Sequence, residues 1–241
     1  MNAELLDSDQ GTILVVDDDV PLRKALHVTL SGMGFTVVDA SRGEEAVSLV
    51  QIARFDAVLL DVDLPGMGGV EACKNIRHAS ARLPILMLSA MDGIHVKEMA
   101  VDAGADDYIT KPFRLRELAA RLRSAVRRGH VQANEQVAPL RHGKLELDLV
   151  RYRVQKFGRS IHLSPKEFEM LHYFMLHAGE LIPHAQLLKA VWGPEYGNEV
   201  VYLRIYVGQL RKKIEDDPLN PKYIRTVPHV GYKFDPEQLN D

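Results

Sequence analysis

The stretch LLDVDLPGMGG, residues Leu59–Gly69, decides the fold. Asp56 aside, the positions from Phe55 to Leu60 are apolar, and they run straight into a carboxylate at Asp61. Asp63 follows, then Pro65-Gly66, a turn signal. A short continuous apolar run bounded by turn residues reads as a strand buried on both faces. That strand delivers an acid to its own end, where the chain must turn.

Outward from this stretch the chain alternates. Thr12–Val16 is an apolar run ending in Asp17-Asp18-Asp19. Pro21 opens a helical pattern that puts Leu22, Ala25, Leu26, Thr29 and Leu30 on one face, and Gly32 and Gly34 stop it. Phe35–Val38 is the next strand, and a helix around Glu44–Ala53 leads to strand three, Asp56–Leu60. A helix near Val70–Arg77, a strand at Pro84–Leu88 ending at Ser89, and a helix near Val96–Ala103 follow. Tyr108–Thr110 is strand five and ends at Lys111-Pro112, and the last helix covers roughly Leu115–Arg127. Apolar strands alternating with helices predict a doubly wound α/β fold, a five-stranded parallel sheet covered on both faces.

The 241 residues suit two domains. The single cysteine, Cys73, excludes an internal disulfide and a cysteine-built zinc site. The start, MNAELLDSDQG, lacks the basic and apolar runs of a signal peptide, and no stretch of about 18 apolar residues offers a membrane span, so a cytoplasmic location is expected. Residues 1–130 hold 15 Lys/Arg against 19 Asp/Glu, a net −4, whereas residues 141–233 hold 15 against 10, a net +5. An acidic front and a basic back imply different partners.

Residues 129–140, GHVQANEQVAPL, have weak periodicity and read as a linker. Beyond it the style changes. Lys144–Leu147, Arg151–Lys156 and Ile161–Leu163 look like short antiparallel strands. Ser164-Pro165-Lys166-Glu167 is a capping box that opens a helix to about Ala178. Helices at about His184–Trp192 and Glu199–Glu215, joined by the loop Gly193–Asn198, precede a hairpin, Tyr223–Val227 and Val230–Phe234, turning at Pro228-His229.

In an open parallel sheet, ligands sit outside the carboxyl ends of the strands. Those ends carry Asp17, Asp18 and Asp19, then Asp61, Ser89 and Lys111. If the strand order is 2-1-3-4-5, the acids of strands one and three meet at the switch point. Carboxylates brought together repel, and a hard divalent cation such as Mg²⁺ relieves this with oxygen ligands. With Lys111 and a hydroxyl at Ser89, the site suits a phosphoryl group, and Asp61 at its centre could form an aspartyl phosphate. Two plainer roles compete at single positions: Asp19 as a helix cap and Asp63 as a turn residue. A rival uses nearly the same residues. Asp61-Val62-Asp63, Ser89 and Lys111 follow the order of the haloacid-dehalogenase phosphatases, with Asp63 as acid/base, but the acidic cluster precedes Asp61 instead of following Lys111.

ILVVDDD, LLDVDLPGMGG, PILMLSA and GADDYITKPF resemble the receiver domain of two-component response regulators over about residues 12–128. The resemblance implies Asp61 as phosphoacceptor, Mg²⁺ held by the side chains of Asp17, Asp18 and Asp61 and by the backbone carbonyl of Asp63, and a phosphoryl group contacted by Ser89 and Lys111. It makes Tyr108 the switch aromatic, turning inward when Ser89 moves. Ser89 stands where Thr is commoner.

In the helix Glu199–Glu215, Leu203, Val207, Leu210 and Ile214 share one face and should be buried. The opposite face carries Val201, Arg204, Ile205, Gly208, Gln209 and Lys212. Arg and Gln can read base edges in a major groove, and Ile or Val can meet a thymine methyl. Arg211 and Lys213 at the sides suit phosphates. HLSPKEFEML, LLKAVWG, VVYLRIYVGQLRKKIEDD and YIRTVPHVGYKF resemble the winged-helix α+β DNA-binding domain of the OmpR/PhoB subfamily over about residues 141–235, and within it KdpE-type regulators. The resemblance makes Glu199–Glu215 the recognition helix, Pro228–Lys233 the wing and Gly193–Asn198 a loop that touches RNA polymerase. Pro228-His229 replaces the Arg-Gly common at the wing tip, so minor-groove contact passes to His229 or Arg225, with Lys233 beside them. Gly208-Gln209 replaces a common basic pair.

The same resemblance implies a sensor histidine kinase as phosphodonor and a homodimer when phosphorylated. Matching positions pair Lys97 with Glu117, Asp107 with Arg121, and Asp102 with Arg123 across that dimer. Joining two DNA contacts raises avidity for direct or inverted half-sites. The expected protein is not an enzyme in the usual sense but a switched transcription factor, with potassium-transport genes implied by the KdpE-type likeness.

Overall fold

The computed structural model describes residues 10–129 and 138–235. The chain divides into two compact units, Met1–His130 and Val131–Asp241.

The first unit carries β1 (Thr12–Val16), α1 (Val20–Gly32), β2 (Thr36–Ala40), α2 (Gly43–Ile52), β3 (Ala57–Asp61), α3 (Gly69–Ala79), β4 (Ile85–Ser89), α4 (Ile94–Asp102), β5 (Asp107–Thr110) and α5 (Leu115–Gly129). All strand pairs are parallel, in the order β2-β1-β3-β4-β5. The apolar runs explain the centre of this sheet: every residue of β3 and β4 is buried. Ile13, Val15, Leu59, Leu86 and Leu88 pack against Leu26 and Leu30 of α1 and Leu118 and Leu122 of α5. Asp61 is the last residue of β3, one position further than the sequence placed the strand end. Asp19 does cap α1, accepting from Leu22 N at 3.1 Å, so its plainer role is the one observed.

Away from the strand ends that carry the acids, Arg77 at the end of α3 is buried yet fully used. Its guanidinium donates to Gly104 O, Leu83 O and Ala81 O and pairs with Asp106 at 2.7 Å. Asp106 also accepts from Ile85 N, so one ion pair ties α3 to the starts of β4 and β5. Burial of Cys73 pushes its thiol up to about 12 and makes it inert.

The second unit carries β6 (Leu140–His142), β7 (Leu145–Asp148), β8 (Arg153–Lys156), β9 (Arg159–Ile161), α6 (Pro165–Leu176), β10 (Leu181–Pro183), α7 (His184–Trp192), α8 (Val200–Ile214), β11 (Ile224–Val227) and β12 (Gly231–Phe234). The strands form two antiparallel sheets, β6-β7-β8-β9 and β10-β12-β11. The first has four strands where three were expected. β6 falls at the end of the expected linker, and the other end, Gly129, belongs to α5; residues 130–137 lie outside the described residues. β10 was not anticipated because three residues carry too little pattern, and its place is fixed by pairing with β12. The capping box of α6 forms as read: Ser164 Oγ accepts from Glu167 N, and Glu167 Oε2 accepts from Ser164 N at 2.7 Å. No helix among the described residues is long and apolar enough to cross a membrane.

Candidate functional site

The strand order β2-β1-β3 sets the end of β1 beside the end of β3. One carboxylate oxygen each from Asp17, Asp18 and Asp61 lies within 4.8 Å of the others. Asp17 and Asp61 are buried and Asp18 is exposed, so the cluster opens to solvent on one side. Lys111, just past β5, reaches back between the acids: Nζ is 2.8 Å from Asp17 Oδ2 and 3.0 Å from Asp61 Oδ1. Asp61 Oδ1 nonetheless accepts no well-aligned hydrogen bond among the described residues. Burial raises the Asp61 pKa, with Asp17 adding to the rise and Lys111 opposing it. Burial works against the charge on Lys111, but its contacts with Asp17 and Asp61 outweigh this and raise its pKa. The pocket therefore holds a buried carboxylate oxygen without an aligned partner, a fixed cation and acidic oxygens able to take a hard metal.

Ser89 at the end of β4 is fully buried, and its Oγ accepts from Met91 N at 3.1 Å. Tyr108 on β5 is buried as well, and its Oη donates to Met91 O at 2.5 Å. The two switch candidates thus grip the N–H and the carbonyl of one residue, which sequence reasoning did not single out. Asp63 is exposed. Two further supports were missed: Arg23 on α1 donates to Asp17 O, and Asp17 Oδ1 accepts from Asp19 N at 2.9 Å. Their signal is only the spacing from the Asp17–Asp19 run, too common to stand alone.

In the second unit α8 presents Val201, Arg204 and Lys212 to solvent, with Gly208 and Gln209 half-buried. Two expectations for this helix need correction. Ile205 is 8% exposed and buried with the helix's inner face, which is widened by Tyr202 and Tyr206, whose rings pack with Trp192. Arg211 does not project outward. Its guanidinium donates to Ile224 O at 2.6 Å and Thr226 Oγ1 at 2.8 Å and lies over the Tyr232 ring, fastening α8 to the β11–β12 hairpin. Lys213 pairs with Glu167 of α6 at 2.5 Å. In the hairpin, Arg225 stands directly opposite Lys233. Like charges in that position are unfavourable unless an anion lies near, and Asp235 comes to 3.8 Å from Arg225. His229 at the tip is exposed and has φ +63°, a left-handed turn position.

Four of the six residues expected to pair across a dimer, Lys97, Asp107, Glu117 and Arg121, find partners within one chain. Arg121 on α5 contacts Asp107 at 3.2 Å and Glu117, one helical turn away, at 2.7 Å. Lys97 pairs with Asp92. Asp102 and Arg123 are exposed.

The comparisons agree with this geometry. Residues 13–123 match the response regulator receiver domain, and residues 158–234 match the C-terminal domain of transcriptional regulatory proteins. The transcriptional regulatory protein KdpE of Mycobacterium tuberculosis (strains CDC 1551 / Oshkosh and ATCC 25618 / H37Rv) is 40% identical over 223 residues, covering 92% of this chain and 98% of its own. Response regulator DrrB, an OmpR/PhoB homolog of Thermotoga maritima, is 33% identical over 93% of this chain and 98% of its own, with a TM-score of 0.49. A cysteine-to-serine mutant of RitR is 25% identical with a TM-score of 0.76, covering 93% of this chain and 98% of that one. The phosphatase alternative finds no support: the acids that meet Asp61 come from β1, ahead of it in the chain, and the matched domain is a receiver. The chain belongs to the OmpR/PhoB-type two-component response regulators, in which a receiver domain is joined to a DNA-binding domain that controls transcription.

Proposed function

We propose that Asp61 is the phosphoacceptor of a phosphorylation switch, and one observation carries this: the meeting of Asp17, Asp18, Asp61 and Lys111 at the carboxyl ends of β1, β3 and β5. An Asp61 carboxylate oxygen attacks the phosphorus of a phosphohistidine on a sensor kinase. The new P–O bond forms as the P–N bond breaks, and the imidazole keeps the electron pair.

The donor set fits Mg²⁺. It is all oxygen, three carboxylates are already close, and Asp61 Oδ1 lacks an aligned partner. Asp17, Asp18, Asp61 and the backbone carbonyl of Asp63 would hold the ion. Its chemistry there is to neutralise charge on the carboxylates and the phosphoryl oxygens. Lys111 exchanges its contacts with the acids for one with the phosphoryl group. Ser89 leaves Met91 N to donate to a phosphoryl oxygen, which frees one of the two grips on Met91 and lets Tyr108 report the change.

The phosphorylated receiver dimerises through α4, β5 and α5. Since Arg121, Asp107, Glu117 and Lys97 are paired within one chain, a dimer would exchange these pairs for cross-dimer ones, at little net gain where the partners are exposed, as Asp92 and Glu117 are, and against the largely buried Arg121–Asp107 contact. Two second units then bind double-stranded DNA half-sites. Arg204, Gln209 and Lys212 of α8 face the major groove, with Val201 placed for a thymine methyl and Gly208 allowing close approach, while His229 or Arg225 reaches the minor groove with Lys233 beside them. Arg211 contributes by holding the hairpin at its angle. The loop Gly193–Asn198 faces RNA polymerase, and the 40% identity to KdpE favours potassium-transport genes as targets. The protein works as a stoichiometric switch, without turnover as its purpose.

The test incubates the protein with acetyl phosphate and Mg²⁺ and reads intact mass beside Asp61→Ala. A phosphate-sized gain that the variant lacks supports the reading. A gain that persists in the variant refutes Asp61. Continuous phosphate release with turnover refutes the switch.

A further inference from the structure

The β3–α3 loop, residues 62–68, carries Asp63 and begins on the phosphoacceptor. Its two ends are fixed from within the sheet and α3. Val62 N donates to Leu88 O at 2.9 Å, and Gly69 N closes the loop on Val62 O at 2.9 Å. The middle of the loop is held by something else, the first turn of α2.

Three independent contacts make this hold. Glu44 Oε1 accepts from Met67 N at 2.9 Å, across 23 residues of sequence. Gly43 lies so close that an added Cβ would stand 2.7 Å from Met67 O and 3.0 Å from Ala72 Cβ. Gly66, at φ +76°, tucks beneath the pair: a Cβ there would meet Glu44 Oε1 at 2.7 Å and an Arg42 guanidinium nitrogen at 3.1 Å. Arg42 in turn lies 3.8 Å from Glu44. A helix start whose side chain bonds only forward in its own helix would need none of this.

We infer that the α2 start, Arg42-Gly43-Glu44, is a positioning clasp for the Mg²⁺-and-phosphoryl loop, with Glu44 as its acting residue. This rests on the reading that the Asp63 carbonyl is a metal ligand. A backbone carbonyl cannot be aimed by a rotamer; only the course of the loop aims it. Glu44 fixes that course four residues beyond Asp63 by holding the Met67 backbone, whereas Asn75 of α3 reaches only the Met67 side chain, Nδ2 to Sδ at 3.5 Å. Groups that orient a metal ligand typically change affinity by about 10–100-fold when removed, and a solvent-exposed hydrogen bond lies at or below the low end of that range.

The experiment is calorimetric titration of the full-length protein with MgCl₂, for wild type, Glu44→Gln, Glu44→Ala and Gly43→Ala. Gln keeps an acceptor oxygen for Met67 N and loses the charge, whereas Ala loses both. Glu44→Ala is expected to weaken Mg²⁺ about three- to tenfold with its melting temperature nearly unchanged, and Glu44→Gln to stay within about twofold of wild type. Gly43→Ala, which improves helix propensity, is expected to weaken Mg²⁺ at least as much, because its Cβ must push Met67 away. The Mg²⁺ concentration that half-saturates phosphorylation by acetyl phosphate should rise in parallel. Equal affinities for wild type and Glu44→Ala would overturn the clasp. So would an equal loss in Gln and Ala, which would reduce Glu44 to a distant charge. If Glu44→Ala is not folded, Glu44→Asp, one methylene too short to reach Met67, takes its place. Asp18→Asn in the same series separates the two levels: if wild type and Asp18→Asn bind Mg²⁺ equally, the metal site itself is wrong, whatever Glu44 does.

Discussion

Gly69→Ala should disable Asp61, the proposed phosphoacceptor, without touching its side chain. The ideal Cβ at residue 69 would lie 1.9 Å from Asp61 O, 2.7 Å from Val62 Cα and 2.8 Å from the Asp61 carbonyl carbon. Carbon and carbonyl oxygen approach to about 3.3–3.6 Å at their closest favourable contact, so the shortfall is roughly 1.5 Å. All three obstacles are backbone at the end of a central strand, with no flexible side chain to swing aside. Overpacking of this kind costs about 1–3 kcal/mol, and the better helix propensity of Ala returns at most about 1 kcal/mol. A net loss of about 2 kcal/mol would lower the receiver's melting temperature by roughly 10 °C. The functional loss should be larger. Relief of the clash moves the Asp61 backbone by more than an ångström, and a misplacement of that size typically costs about 100-fold in rate. The assay is scanning calorimetry, following the transition that Mg²⁺ shifts, together with the rate of mass gain from acetyl phosphate. Wild-type stability and rate in Gly69→Ala would refute the argument that α3 starts in contact with the Asp61 carbonyl.

Asp61→Asn should raise the melting temperature of the first unit at neutral pH by a few degrees. Burial and the nearby Asp17 raise the Asp61 pKa, so the folded state holds that proton more tightly than the unfolded chain does. The cost of its charge is absent in acid and grows as pH rises through the raised value, so the Asn variant's advantage should shrink toward acid pH; a variant less stable than wild type at neutral pH would contradict this. In the second unit, Glu215 accepts from Lys222 N at 2.9 Å, Tyr223 N at 3.0 Å and Ile224 N at 2.9 Å, tying the end of α8 to the start of the hairpin. Glu215→Ala leaves the N–H groups of two buried residues without that acceptor and should cost about 1–3 kcal/mol, read as an earlier urea midpoint in Trp192 fluorescence. An unmoved midpoint would show that the carboxylate does not fasten the hairpin.

A phosphoacceptor must be ionised to attack, yet Asp61, proposed for that role, is buried beside another acid. Lys111 offsets the cost in part, and a metal ion would offset more. Stability given up at Asp61 is thus bound up with its use, and ligands that enter the pocket should stabilise the fold.

What the sequence by itself determined was local. An apolar run followed by Asp-x-Asp-x-Pro-Gly defines a buried strand and its turn within a dozen residues, and Ser164-Pro165-Lys166-Glu167 specifies a helix start within four. Those signals depend only on neighbours in the chain, so they survive without a structure. The strand order stayed conditional in the sequence, and only tertiary pairing of β1 with β3 sets Asp17 beside Asp61. The same holds for the burial of Ile205, for Arg211 bending to the hairpin and for Glu44 reaching Met67. Helical periodicity tells which residues share a face, but not how wide the buried face becomes once neighbours pack against it. A long polar side chain carries no mark of its acceptor, since that acceptor lies on another element and exists only once the chain has folded.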